Sequence, residues 1–262
     1  MQEISMFINV GNAKIYTSSF GSTTSPVIVG IGGWVGSWEL WAEPFSILSQ
    51  SWHTIAYDHR GTGVTIAPVE SITFNSLVDD VFAVLDAYNI GNCVLAAESA
   101  GALTALGAAL KHPRRITGLV IVDGMYFRET PSEKDLFLLG LRKAYPATLD
   151  SFVEACVPEP DSDHIKRWGR QILDRASQAT AIALYLAASE IDLRNELSRI
   201  SQPTLILHGE VDGIVPLEEA RQLSKILPNS KLAVLQGAGH VPTMTRPQEV
   251  AYEIMNFFGS DI

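Results

Sequence analysis

The feature that most limits the fold of this chain is a recurring alternation. Short, predominantly apolar runs end abruptly in glycine or a polar residue, and each is followed by a longer stretch of helical period. Val27–Ile31 runs into Gly32-Gly33, His53–Tyr57 into Asp58, Cys93–Ala97 into Glu98-Ser99, and Leu119–Val122 into Asp123-Gly124. Thr204–Leu207 ends at His208-Gly209, and Lys231–Leu235 ends at Gln236-Gly237. A strand that is apolar at successive positions must be covered on both faces, which is the condition of a parallel sheet between two layers of helices. Two opening strands, Ile4–Val10 and Ala13–Ser19, are joined by the hairpin-type dipeptide Gly11-Asn12. Helices are expected at Trp38–Gln50, Phe74–Tyr88, Ala100–Lys111, Leu217–Leu227 and Gln248–Phe258. In the second of these, Leu77, Val81, Val84, Leu85 and Tyr88 recur at helical spacing. The expected fold class is α/β, a mostly parallel eight-stranded sheet with helices on both faces.

One interval breaks the rhythm. From Met125 to Ser201 there is no strand-like run, only helical patterns punctuated by Pro131, Pro146, Pro158 and Pro160. That is too long for a single loop inside a compact domain. It is expected to be a helical cap, 125–201, over the carboxyl ends of the strands, with 1–124 and 202–262 forming the core.

Composition excludes several classes. A chain of 262 residues, 47% hydrophobic and 18% charged, buries a core without help from disulfides or a structural metal. Lys and Arg number 19 against 29 Asp and Glu, a formal net charge of −10, which argues against nucleic-acid and anionic-membrane partners. Cys93 and Cys156 form no C-x-x-C pair and are expected to be small buried hydrophobes, with no metal site. The segment Met1–Val10 carries Glu3 and lacks the basic and apolar regions of a secretory signal. The nearly continuous apolar run Cys93–Leu110 is interrupted by Glu98 and Ser99, so it reads as two buried elements meeting at a turn. The expectation is a cytoplasmic protein acting on a small molecule; the pattern specifies no oligomeric state.

The chemistry concentrates at the ends of the strands. Ala97-Glu98-Ser99-Ala100-Gly101 follows an apolar strand and opens an apolar helix. It matches a nucleophile elbow with Ala97 in place of the first glycine, where small neighbours let the backbones approach closely around a strained Ser. Alone, the same Ser could be a helix N-cap. Two later segments change the balance: His208-Gly209-Glu210-Val211-Asp212 and Gly237-Ala238-Gly239-His240, each following a predicted strand. A serine hydroxyl needs a positioned base, and the base needs an acid to set its tautomer and stabilise its cation. Ser99, Asp212 and His240 supply all three at strand ends.

With these residues in place, the chain resembles the α/β-hydrolase family over nearly its whole length outside 125–201. The loop Tyr57-Asp58-His59-Arg60-Gly61-Thr62-Gly63 and the Trp38/Trp41 helix add to the likeness. The resemblance implies two oxyanion donors, the backbone N–H groups of Trp34 and Ala100. It departs at Gly32, where the family commonly has a structural His, a change that bears on loop rigidity. Asp123 occupies an alternative acid position, but Asp212 sits in the fuller Gly-x-x-Asp context and is preferred. Gly33, Met125, Tyr126, Trp168 and Tyr185 are the expected substrate-binding residues, with Phe127, Phe137 and Tyr145 as further aromatic candidates. Asp58 and Arg60 are expected to brace the site, Glu98 to bond nearby backbone, and His53, His112, His164 and His208 to be surface or structural residues.

What the resemblance implies is acyl transfer through Ser99 on a carboxylic ester or lactone of a small to medium apolar substrate, with no cofactor. A Ser nucleophile argues against dehalogenase and epoxide-hydrolase chemistry, which need a carboxylate there. The alternatives are a carbon–carbon bond hydrolase, for which Arg128, Arg142 and Arg194 are candidate carboxylate clamps, and a small-molecule receptor without turnover.

Overall fold

The computed structural model describes residues 4–189 and 191–259; Glu3, within the leading segment considered above, lies outside the described residues. Eight strands form one sheet: β1 (Ile4–Val10), β2 (Ala13–Phe20), β3 (Val27–Ile31), β4 (His53–Tyr57), β5 (Cys93–Glu98), β6 (Ile116–Val122), β7 (Thr204–Gly209) and β8 (Ser230–Leu235). Their order is β1-β2-β4-β3-β5-β6-β7-β8. The β1–β2 and β2–β4 pairs are antiparallel and the rest are parallel. The chain steps outward from β3 to β4 and then returns to place β5 on the other side of β3. A crevice opens at such a reversal, at the carboxyl ends of the strands.

Period-two alternation sorts each strand between two layers. Leu95 and Ala97 of β5 pack with α2 (Phe74–Ala87) and α3 (Gly101–Lys111), while Val94 and Ala96 pack on the opposite face. A 3₁₀ turn at Trp38–Trp41 and α1 (Ala42–Leu48) cover that second face. The single helix expected at Trp38–Gln50 is therefore two elements. Pro44 has no N–H to donate to the carbonyl of Leu40, so one α-helical ladder cannot run through the segment. Trp41, fully buried, donates its indole N–H to the Ile31 carbonyl at 3.0 Å and fixes the end of β3. α2 begins at a capping box in which Thr73 and Ser76 exchange hydrogen bonds.

Between β6 and β7 the described residues form four α-helices, α4 (Leu136–Lys143), α5 (Tyr145–Cys156), α6 (Asp163–Leu173) and α7 (Gln178–Ala188), and a 3₁₀ turn at Leu197–Arg199. The excursion leaves and returns side by side: Phe127 bridges Asp192, and the Arg128 N–H donates to the Ile191 carbonyl at 2.9 Å. α8 (Leu217–Ile226), a single turn α9 (Pro242–Thr245) and α10 (Pro247–Phe258) complete the chain. Cys93 and Cys156 are both free and buried. Among the described residues, no helix is long and apolar enough to cross a membrane.

Candidate active site

Ser99 follows the last residue of β5 with φ +50°, one of four non-glycine residues in the left-handed region among the described residues. That conformation costs about 1–2 kcal/mol for an L-residue, so the surroundings must hold it. The Ser99 N–H donates to the Val122 carbonyl at 2.9 Å, while its own carbonyl accepts from Ala102 at 3.0 Å and Met125 at 3.1 Å. The small residues around it have a direct steric cause. A Cβ on Gly101 would stand 2.4 Å from the Gly32 carbonyl oxygen, and one on Gly33 would stand 3.2 Å from Ser99 Cβ. The β3 loop and the start of α3 can approach this closely only without those atoms.

The three side chains, 141 and 28 residues apart in the chain, meet. Ser99 Oγ lies 2.8 Å from His240 Nε2, and His240 Nδ1 lies 2.8 Å from Asp212 Oδ2. The other oxygen of Asp212 accepts from the N–H groups of Ile214 at 2.7 Å and Val215 at 3.0 Å. Burial alone would raise the Asp212 pKa. The hydrogen bond and charge of His240, with those two amides, outweigh it and hold the carboxyl below its ordinary range. Asp212 is therefore the ionised partner. His240 in turn is fixed by its own N–H, which donates to the Cys156 carbonyl at 2.9 Å.

Asp123 lies in the same cluster but plays a different part. It is fully buried, and its Oδ1 accepts from the Gly209 N–H at 2.8 Å. Burial first, then the charge of Asp212, drives its pKa well up. His208 donates Nε2–H to the Val215 carbonyl at 2.9 Å and is kept neutral chiefly by burial. Ligand atoms of Asp123, His208 and Asp212 lie within 4.8 Å of one another. Within this cluster Asp212 is engaged with His240 and His208 with the Val215 carbonyl.

The backbone N–H groups of Trp34 and Ala100 have no hydrogen-bond partner among the described residues, and both residues line the cavity that holds Ser99. The loop carrying Trp34 is braced by a residue the sequence reading did not single out. His59 lies 3.1 Å from the Trp34 carbonyl, and burial lowers its pKa to about 4, so the ring is neutral and Nε2–H donates. The imidazole absent at Gly32 is thus matched by one from the neighbouring strand end. Asp58 accepts from the Trp38 and Val64 amides at 2.8 Å each, and Arg60 grips buried Asp80 through two bonds of 2.7 and 2.8 Å.

Two cavities meet at Ser99. The outer one, about 630 Å³, is lined by Met125, Tyr126 and Tyr185, together with Phe127 and Phe137. Arg128 also lines it, stacked 3.8 Å over the Tyr185 ring, whose hydroxyl donates to Asp135 at 2.6 Å. The inner cavity, about 60 Å³, is bordered by Gly33, Glu98, Ser99 and His240. Trp34 and Phe152, edge to face at 5.4 Å, border both.

Some expectations are corrected by position. Trp168 lines neither cavity; its indole N–H donates to Glu39 at 3.4 Å. Tyr145 also lies outside them, donating to the Ala176 carbonyl at 3.0 Å. Glu98 bonds the hydroxyl of Thr243 at 3.1 Å rather than backbone, because α9 crosses directly beneath it. Arg194 pairs with Asp192 outside the cavity, and Arg142 does not reach it. Residues Gly213 to Pro216, which also line the outer cavity, directly follow Asp212, and that adjacency was their available signal.

Comparison with known proteins agrees with this architecture. A family profile described as alpha/beta hydrolase fold matches residues 26–168 and 165–247. A protein of Pseudomonas syringae bearing a carbamate-hydrolase name, RutD, is 28% identical over 237 residues, covering 85% of this chain and 90% of that protein. Among solved structures, an esterase from Exiguobacterium antarcticum superposes with a TM-score of 0.89 at 22% identity, covering 97% of this chain and 99% of that one. An enol-lactonase from Burkholderia xenovorans LB400 gives 0.90 at 20% identity with the same coverage. With the profile spanning most of the sheet and its crossovers, the chain belongs to the alpha/beta hydrolase fold family.

Proposed function

We propose that this protein is a serine hydrolase that cleaves a carboxylic ester or lactone through an acyl-enzyme on Ser99. The observation that carries the reading is the unbroken line from Ser99 through His240 to Asp212, with both contacts at 2.8 Å. His240 takes the Ser99 proton as Oγ bonds to the carbonyl carbon. The amides of Trp34 and Ala100 receive the oxyanion, and Asp212 stabilises the imidazolium. His240 then protonates the leaving oxygen. In the second half, water gives its proton to His240 and its oxygen to the carbonyl carbon, and Ser99 is released. Helices α4–α7 act as a cap over this centre, and Met125, Tyr126 and Tyr185 form the walls of the substrate cavity.

The carbamate-hydrolase name of the bacterial relatives describes a carbonyl between nitrogen and oxygen, which the same nucleophile attacks. Carbamates therefore belong beside esters and lactones in the test. One observation favours a second reading: Arg128 beside the outer cavity suits a substrate bearing a carboxylate, as carbon–carbon bond hydrolysis would require.

The test is labelling with an alkyl phosphonate, followed by turnover of an ester, lactone and carbamate panel. One phosphonate should add at Ser99, and Ser99→Ala should lose both label and turnover, by at least about 10⁴-fold. Activity surviving that substitution removes Ser99 from the mechanism; tight ligand binding without turnover makes the protein a receptor.

A further inference from the structure

The two cavities that meet at Ser99 are unequal, and only the inner one is bordered by His240. This matters because the imidazole that receives the Ser99 proton must hand it to the leaving oxygen. In the tetrahedral intermediate the oxyanion points to the Trp34 and Ala100 amides, so the leaving group lies on the His240 side. We infer that the inner cavity holds the leaving alcohol, and that it restricts the enzyme to esters of short alcohols, methyl to propyl, with the larger acyl part in the outer cavity. The inference rests on the ester reading above.

Size sets the limit. An apolar cavity of about 150 Å³ accepts benzene. The inner cavity, about 60 Å³, has about two-fifths of that volume, room for roughly two to three carbons. Its walls are mostly aliphatic, including Val153, Val157 and Ile172. One polar atom stands out: Glu98 is buried, and its Oε2 has no hydrogen-bond partner among the described residues. Burial raises the pKa of this carboxyl to about 8, so it is neutral near pH 7. Glu98 therefore brings no charge to the border of this apolar space, which the departing alcohol fits by size, as does the water that follows it. The alcohol leaves with the proton from His240; water entering the same space returns a proton to His240 as its oxygen bonds to the acyl carbon and Ser99 Oγ is freed.

The cavity is kept open by Gly169. It lies in α6 between the buried Ile165 and Ile172, at spacings of four and three, so all three share the inward face. A Cβ built at Gly169 meets nothing within 4 Å. Glycine within a helix is unfavourable relative to alanine, and here the missing side chain leaves space that borders the site.

The experiment compares kcat/KM for the methyl, ethyl, propyl, butyl and hexyl esters of one acid, in wild type, Gly169→Leu and Gly169→Ala. Wild type should lose about tenfold or more between propyl and butyl, the low end of what one methylene discriminates in a hydrophobic pocket. Gly169→Leu should move that break to ethyl or below, and Gly169→Ala should shift it the same way by less. Gly169→Ala keeps the test intact should leucine unfold the protein, which a melting curve reports. A flat profile through hexyl overturns the inference, as does a Gly169 variant that changes preference among acids while leaving the alcohol series alone. If wild type hydrolyses no ester of any alcohol, the ester reading itself has failed.

Discussion

Replacing Asp123 and Asp212 one at a time by asparagine separates two buried carboxyls that lie in one cluster. Asp212 is ionised and bonded to His240 at 2.8 Å, so asparagine presents an amide where the imidazole needs a negative acceptor. The wrong tautomer then faces Ser99, and a loss of about 10⁴ in kcat is expected. Asp123 has its pKa driven well up by burial and by the charge of Asp212, and its Oδ1 accepts from the Gly209 amide at 2.8 Å. Asparagine supplies the same oxygen, so kcat should stay within about threefold of wild type, under 1 kcal/mol. Asp123→Ala removes that acceptor and leaves a buried N–H unpaired, costing about 1–3 kcal/mol of stability. The assay is kcat on a turned-over ester, or the rate of phosphonate labelling, alongside urea unfolding of each variant. Equal collapse of activity in Asp123→Asn and Asp212→Asn would refute the division of roles between them.

Other expectations follow from the same geometry. His59 is 6% exposed, with its pKa lowered to about 4 by burial. The unfolded chain therefore binds a proton that the folded one refuses. Stability from this residue is complete above about pH 6.5 and falls by about 3 kcal/mol as pH drops toward 4. The urea midpoint of His59→Gln should accordingly fall less over that range; an unchanged slope would count against a neutral, buried ring. Arg60→Ala strands Asp80 in the core and should cost about 3–5 kcal/mol in denaturant unfolding. Gly101→Ala forces α3 away from the Gly32 carbonyl, and a shift of that size at the nucleophile should lower kcat about 10²-fold while the protein stays folded, as circular dichroism would show.

Much of this molecule is written in local pattern. The apolar runs ending in glycine or a polar residue located six of the strands, because a strand covered on both faces cannot hide its composition, and the Gly11-Asn12 turn located the opening pair. Boundaries moved by one to three residues where pairing continued past the apolar stretch, as at Ile116 and Gly209. Ser99, Asp212 and His240 were nameable because each follows a strand end, and in this topology strand ends lie together. The aromatic candidates in the helices between β6 and β7 fared unevenly: Tyr185 borders the cavity, while Trp168 and Tyr145 turn to Glu39 and Ala176. A helix's inward face depends on the tilt of its neighbours, which no single segment encodes.

The chain by itself determined which residues sit at the carboxyl ends of the strands, since hydrophobic period and small-residue spacing are properties of neighbours in sequence. Only the tertiary structure decided which histidine steadies the Trp34 loop, which of two aspartates carries the charge, and that Ser99 stands between a large cavity and a small one. Those outcomes depend on burial and on distances between segments more than a hundred residues apart. Desolvation acts on a group's whole surroundings, and those surroundings exist only once the chain has folded.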